Sequence, residues 1–416
     1  MGYKNWMRNI TAFVRLIICI CHLMRVSETF SFLEGNKRHL SGFTLSLGKL
    51  KTQILPISSM STSVFASENV DEIDAGNNNG NELYIETPLI FSKPLSDLSK
   101  RPVYLKLDLL QPSGSFKDRG MANLCYTLYN DPSNPIRQLV SSSGGNAGLA
   151  VATVARKLEG MKVHVVVPKT TKAIVVEKLQ SLDAEVTVHG ENWNQADLLA
   201  RDMVEKSLST DYSVTLRAAY VSPYDDPLLW EGHSTVMDEV LEQLPQDQSL
   251  SAVVASVGGG GLICGVMDGL KKNKKMKNVL VVAAETEGAS SFDKGWQAGE
   301  AVSLSSIDSI ATSLGALQVT NEAIKKGKFH IDAGGSLHTS VCTDEEAIHA
   351  CVNFANDHKM LVEPACGAAL ASIYSDRLRS ALFGNDDEGA IVIEVCGGNA
   401  VNVDLMDIWQ KQFLES

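Results

Sequence analysis

The 416-residue sequence predicts an α/β protein with parallel sheets covered by helices on both faces, in one or two doubly wound domains. Three observations lead there. Short apolar strands alternate with helical stretches from Leu83 onward. Glycine-rich loops directly follow several of these strands and open the next helix, where such folds place their ligands. Finally, 44% hydrophobic and 21% charged residues give a chain of this length a large core to bury.

The elements follow in order from apolar runs and helical spacing. The strand Val103 to Leu109 (VYLKLDL) leads into PSGSFKDRG, a loop that opens a helix. Arg137 to Ser141 is a strand, followed by SSSGGNAG and a helix over Asn146 to Leu158. Val163 to Val167 (VHVVV) and Glu185 to Val188 are strands, each followed by a helix, Lys172 to Leu182 and Trp193 to Ser207. Ala252 to Ala255 runs into four glycines and a helix over Leu262 to Lys271. Val279 to Ala284 is a strand, Asp344 to His358 and Cys366 to Arg379 are helices, and Ala390 to Val395 (AIVIEV) is the last strand.

A net charge of −12 argues against a nucleic-acid partner, and no uncharged run of eighteen apolar residues offers a membrane span. The eight cysteines form no CxxC pair and there is no HExxH, which favours a reduced enzyme over a disulfide scaffold or a structural metal site. The charge is unevenly spread. Residues 1–67 hold eight Lys or Arg against only Glu28 and Glu34, and the sign changes near SSMSTS at Ser58 to Ser63. This basic, Ser- and Thr-rich segment is expected to be an organelle leader, mitochondrial or otherwise; Phe13 to Met24 also fits a secretory apolar region interrupted by Arg15. With a start near Met60 the protein would be cytoplasmic. Residues 68–82, with DAGNNNGN at Asp74 to Asn81, read as a linker.

Four loops carry chemistry. In PSGSFKDRG, a desolvated Lys117 at a helix start can form a Schiff base; the alternative is a solvated lysine paired with Asp118. SSSGGNAG at Ser141 to Gly148 offers successive amides to a carboxylate or phosphate, or is a plain Ser cap with a glycine turn. SVGGGGLICG at Ser256 to Gly265 suits close approach to a phosphate dianion at a helix N-terminus, against a purely structural glycine loop. No GxGxxG can be placed on it, which removes the dinucleotide fingerprint. In EVCGGNA at Glu394 to Ala400, Cys396 is either a buried small hydrophobe or, at a strand end before two glycines, a contact for a flat ring.

Together, in this order, the four loops resemble the fold type II, tryptophan synthase β-like, family of pyridoxal-phosphate enzymes, and within it the L-serine dehydratases. The stretches YDDPLLWEGH at 224–233, AAETEGASSF at 283–292 and LVEPACGAALA at 361–371 agree with that family too. The resemblance implies two doubly wound domains, a large cofactor-binding one from 83–124 and 217–416 and a small one, 125–216, that closes over the substrate. It implies a homodimer and β-elimination of L-serine to pyruvate and ammonia, with L-threonine giving 2-oxobutanoate. Lys117 would hold pyridoxal 5'-phosphate covalently and then act as base, with Phe116 on a ring face and Asn146 at the ring hydroxyl. Gly258, Gly259, Gly260, Gly261 and Leu262 would bind the phosphate, and Ser143, Gly144, Asn146 and Ala147 the substrate carboxylate. Cys396 would face the pyridine nitrogen, where a thiol, a weak donor, makes a weaker electron sink and favours elimination over transamination. Gly258, Glu285, Ala289, Ser291, Leu314 and Ala316 match the family's monovalent-cation site, for which potassium is the candidate; the other reading makes Glu285 a surface salt-bridge partner.

The chain departs from the family in two places. Asn399-Ala400-Val401-Asn402 replaces Ser-Asn-Ile-Ser, and Gly144 stands where the main serine dehydratases carry alanine. Other readings are a threonine dehydratase or a serine racemase on the same scaffold, the racemase using Ser142 or Ser143 as its second base. A different class would be a catalytically silent sensor that binds cofactor or amino acid.

Overall fold

The computed structural model describes residues 83–209, 217–273, 278–384 and 388–415. The expected leader, 1–67, and linker, 68–82, lie outside the described residues. The elements run β1 (Leu89–Phe91), α1 (Lys93–Ser99), β2 (Val103–Lys106), α2 (Lys117–Asn130), β3 (Gln138–Ser141), α3 (Asn146–Ala155), β4 (Lys162–Val167), α4 (Ala173–Ser181), β5 (Glu185–Val188), α5 (Trp193–Ser209) and β6 (Ala218–Tyr220). They continue with α6 (Pro227–Gln243), β7 (Leu250–Ser256), α7 (Gly261–Lys272), β8 (Leu280–Thr286), α8 (Ser291–Ala298), α9 (Asn321–Asp332) and β9 (Ser336–Cys342). The chain closes on α10 (Asp344–His358), α11 (Pro364–Tyr374), α12 (Asp376–Phe383), β10 (Ala390–Glu394) and α13 (Val403–Phe413).

Two sheets result. The larger has the order β1-β2-β10-β7-β8-β9 and the smaller β5-β4-β3-β6. Every pairing is parallel except β1 with β2, as strand-helix alternation requires. β7, β8 and β10 are apolar at almost every position because helices cover both their faces. The site lies at the carboxyl ends of β2, β10, β7 and β3, from which its loops emerge. No described helix is long and apolar enough to cross a membrane.

Two predicted elements end differently. The strand expected over Val103 to Leu109 stops at Lys106 and a 3-10 turn, Asp108–Leu110, takes over. Asp108 there leaves the strand geometry to receive both Nε and Nη2 of Arg119 at 2.7 Å. The helix expected over Cys366 to Arg379 is two helices, since Ser375 is extended (φ −81°, ψ 121°) and its hydroxyl caps α12 through Leu378 N. Three strands were not foreseen: β1 and β6 have three residues each, and β9 (SLHTSVC) is too polar to stand out.

Candidate active site

Lys117 is the first residue of α2. The preceding loop is pinned to the end of β10, because Phe116 N donates to Cys396 O at 3.2 Å and Ser115 bridges Gly397. Gly397 has φ +80°, and a Cβ there would lie 2.4 Å from Gly114 O, so only glycine lets the two loops meet. Lys117 Nζ donates to Pro223 O at 2.7 Å and lies 4.9 Å from the Phe116 ring centre. Burial pulls its pKa from 10.5 to about 8 against the opposing pull of Cys396 and Glu363. The solvated Lys117–Asp118 pair does not form. Asp118 instead accepts from Ser113 N at 2.8 Å, and burial pushes its carboxyl up to about 6.

The four glycines join β7 to α7. Gly260 has φ +93°, and a Cβ there would lie 2.8 Å from Val319 Cγ2. A Cβ on Gly259 would lie 2.2 Å from Tyr224 Cγ, and one on Gly261 2.9 Å from Tyr224 O. The ribbon is therefore bare by necessity. It ends on the first turn of α7, whose amides have no intrahelical acceptor and attract an anion; Leu262 is buried in that turn.

The third loop crosses from β3 to α3. Ser142 donates to Asp197 at 2.7 Å and lies 3.1 Å from Tyr220 Oη, so its hydroxyl is turned away into the α5 side. Ser143 Oγ accepts from Gly145 N at 3.3 Å, and Ala147 is buried on the first turn of α3. A methyl on Gly144 would meet Val167 Cγ1, at the end of β4, at 3.1 Å and Thr171 Cγ2, in the loop beyond it, at 3.3 Å. Asn146 Nδ2 donates to Glu363 Oε1 at 2.9 Å, and its Oδ1 accepts from Asn399 N and Nδ2, both at 3.1 Å. A carboxylate can only accept and a backbone N–H can only donate, so these partners fix which way the amide faces. Cys396 is buried at the end of β10 with its thiol 3.9 Å from Ser256 Oγ. The neighbouring Cys366 thiol, followed by burial, holds its pKa well above the ordinary value, so the sulfur keeps its proton.

A family model for pyridoxal-phosphate dependent enzymes matches residues 81–397. The chain belongs to that family. An L-serine dehydratase/L-threonine deaminase of Bos taurus is 39% identical over 342 residues, covering 80% of this chain and 97% of its own. An L-serine dehydratase of Saccharomyces cerevisiae is 37% identical, covering 76% and 94%. A solved fungal L-serine ammonia-lyase from Rhizomucor miehei superposes with a TM-score of 0.71 at 33% identity, over 80% of this chain and 99% of that one.

The residues present fit the cofactor that defines this pyridoxal-phosphate family. A desolvated amine stands at Lys117, and the 258–261 ribbon, kept bare of side chains by its packing on Tyr224, Val319 and Leu314, leads its amides onto the first turn of α7, where an anion is attracted. Phe116 lies beside the amine and packs, tilted at 55° with ring centres 5.0 Å apart, against His233, a fully buried imidazole with no hydrogen-bond partner on either nitrogen. Burial, with Lys117 and Arg119 nearby, keeps that imidazole neutral.

The cation positions also come together in part. Glu285 is fully buried rather than a surface salt-bridge partner; its Oε1 accepts from Phe292 N at 2.8 Å and its Oε2 from Asp293 N at 2.7 Å. Burial still pushes its carboxyl up to about 8. Ser291 Oγ is buried with no partner, Ala289 and Leu314 are buried, and the Leu314 backbone packs on Gly258. The carbonyl of Leu314 accepts from Ala316 N at 2.7 Å.

The sequence reading gave no site role to Glu363, Tyr224 or His233, and marked Asn399 only as a departure from the family. Glu363 is buried, accepts from Asn146 and Ala400 N, and borders a cavity of about 190 Å³ with Ser313, Ala400 and Trp409. Burial raises its pKa. The signal for Glu363 and His233 lay within LVEPACGAALA and YDDPLLWEGH, matched as stretches and not resolved into roles.

Proposed function

We propose that the protein is an L-serine dehydratase that converts L-serine to pyruvate and ammonia, and L-threonine to 2-oxobutanoate. The observation that carries this reading is the desolvated Lys117 amine at a helix start, bonded to Pro223 O, whose neighbour Tyr224 packs on the bare 258–261 ribbon, and facing Glu363, which accepts from Asn146 of the Ser143–Ala147 loop. When bound, pyridoxal phosphate supplies the electron sink that acidifies the substrate α-C–H. The amides of Gly258, Gly259, Gly260, Gly261 and Leu262 would hold its phosphate, with Phe116 and the Cys396 thiol as the residues that would contact its ring. Ser143, Gly144, Asn146 and Ala147 orient the substrate carboxylate. The neutral Lys117 amine takes the α-proton, and its low pKa keeps a free base available near neutral pH. The β-hydroxyl gains a proton as its C–O bond breaks and leaves as water, the proton given up at Cα balancing the one gained at the oxygen, and hydrolysis of the released enamine gives the keto acid and ammonia. Of the two serines that could serve a racemase as second base, Ser142 has its hydroxyl engaged by Asp197 and Tyr220, which leaves Ser143.

The same reading places potassium against Gly258, Glu285, Ala289, Ser291, Leu314 and Ala316, with Ser291 Oγ as an oxygen in want of a partner. It also takes the enzyme as a homodimer, with the region of the smaller sheet closing over the amino acid. The test is the full chain with cofactor and L-serine, D-serine or L-threonine, in potassium or a bulky organic cation, assayed for keto acid. Keto acid from the L-amino acids, faster in potassium, and a loss of roughly 10³-fold or more in Lys117→Ala are expected. D-serine as the product of L-serine would make it a racemase, and a Lys117 adduct without turnover would make it a silent binder.

A further inference from the structure

Asn399 is the position where this chain departs from the serine of the dehydratases, and its side chain touches more of the site than any serine could. Its Nδ2 donates to Ser113 O at 2.8 Å and to Asn146 Oδ1 at 3.1 Å. Its Oδ1 accepts from Lys178 Nζ, and its backbone N donates to Asn146 Oδ1 at 3.1 Å. One residue later, Ala400 N donates to Glu363 Oε2 at 3.3 Å, closing the ring through Asn146. Gly114 of the Lys117 loop, at φ +84°, lies against this side chain: a Cβ there would stand in ordinary contact with it, 3.4 Å from the Asn399 amide.

The topology gives these contacts a purpose. Asn399 follows β10 of the larger sheet, Ser113 belongs to the Lys117 loop, Asn146 opens α3, and Lys178 lies on α4, which packs beside β5 of the smaller sheet. A single primary amide can accept from a lysine cation and donate to two carbonyl oxygens at once, whereas a serine hydroxyl has only one hydrogen to give. We propose that Asn399 is a positioning residue, a latch that ties the Lys117 loop and the Asn146 loop to α4 and sets the affinity for the amino-acid substrate.

This inference rests on the reading that the Ser143–Ala147 loop binds the substrate carboxylate. The experiment separates the two. Full-length Asn399→Ser, Asn399→Ala, Lys178→Met and the Asn399→Ala/Lys178→Met double variant are loaded with pyridoxal phosphate. Four quantities are read: absorbance of the Lys117 adduct, KM and kcat for L-serine, and deuterium exchange of residues 173–181 without substrate. The latch predicts full adduct in every variant and KM raised about tenfold in both Asn399 variants, the scale of one or two lost hydrogen bonds. It predicts kcat changed by less than about threefold, since the contact is made with and without the transition state. Exchange over 173–181 should speed up about tenfold in the Asn399 variants and in Lys178→Met, and the double variant should add nothing further. Unchanged KM and exchange, strictly additive effects, or loss of the adduct in Asn399→Ala would each overturn the latch; the last would make Asn399 a cofactor ligand instead. Absence of keto acid from the wild type would sink the elimination reading alone, because exchange still reports on the latch.

Discussion

A lysine amine with a pKa of about 8 is neutral over a range where an ordinary lysine is protonated. Only the neutral form attacks an aldehyde. The rate at which cofactor-free protein forms its Lys117 adduct should therefore rise about tenfold per pH unit below pH 8 and level off above it. An unshifted lysine would keep rising toward 10.5. Stopped-flow absorbance from pH 6 to 10 reads the break, and a slope that continues past pH 9 would show that the amine is not desolvated. Lys117, Cys396 and the glycines were legible in the sequence because each stands in a short local motif. Glu363 was not, and Asn399 stood out as a departure from the family without its contacts, since their partner Asn146 is 217 and 253 residues away in the chain. The competing account of Lys117, as one half of a solvated pair with Asp118, failed for a reason of the same kind. Asp118 faces back toward Ser113, while the amine faces Pro223.

The element that governs the cofactor site is the β7-to-α7 connection. Gly260 combines φ +93° with three side chains, of Val319, Thr320 and Ala323, within 3.1 Å of where a Cβ would sit. Gly260→Ala should lose about 1–3 kcal/mol of stability from backbone strain alone and bind the cofactor more weakly. Urea unfolding of the cofactor-free protein measures the first and fluorescence titration the second. No loss in either would mean the ribbon has slack. Most helices of the predicted set appear, with α10 bounded as expected at Asp344, where Thr343 and Glu346 form a capping box, and at His358, after which Lys359 turns left-handed (φ 61°). The break between α11 and α12 was hidden, since no proline or glycine stands at Ser375 and the extended turn is set by that residue's contact with Glu346 Oε1 at 2.7 Å. Strands β6 and β9 escaped for the opposite reason. Their pairing comes from neighbours in the sheet, with little apolar pattern of their own.

Across the whole molecule, the loop that carries Lys117 stands on a buried ionic cluster. Arg119, fully buried two residues beyond it, is held by Asp108 at 2.7 Å and by Glu239, whose other oxygen lies 2.6 Å from the buried Lys106. These groups join α2, β2, the turn after it and α6. Burial alone would raise the Asp108 pKa, yet the Arg119 guanidinium and its hydrogen bonds bring it below 3.8. A carboxylate lowered in the folded state adds stability above its unfolded pKa and loses it only as the pH falls through the folded value. Arg119→Met should cost about 3–5 kcal/mol at neutral pH, because Asp108 and Glu239 are then left buried without it. It should also unfold at a higher pH on acid titration than the wild type. Circular dichroism against urea and against pH reads both, and a variant as stable as the wild type would show that the cluster is incidental.

The sequence alone determined the α/β class, the order of the four loops and the residue that can bond covalently to a carbonyl, because strand-helix alternation and short motifs depend on near neighbours. Tertiary structure decided which of those groups are charged and whom they touch. It turned Ser142 away toward Asp197, buried Glu285, gave the Asn146 amide to Glu363 and set Asn399 between two sheets. The reason is physical: a pKa and a hydrogen-bond partner are set by desolvation and by groups brought together from distant parts of the chain, and neither is encoded within a nine-residue window.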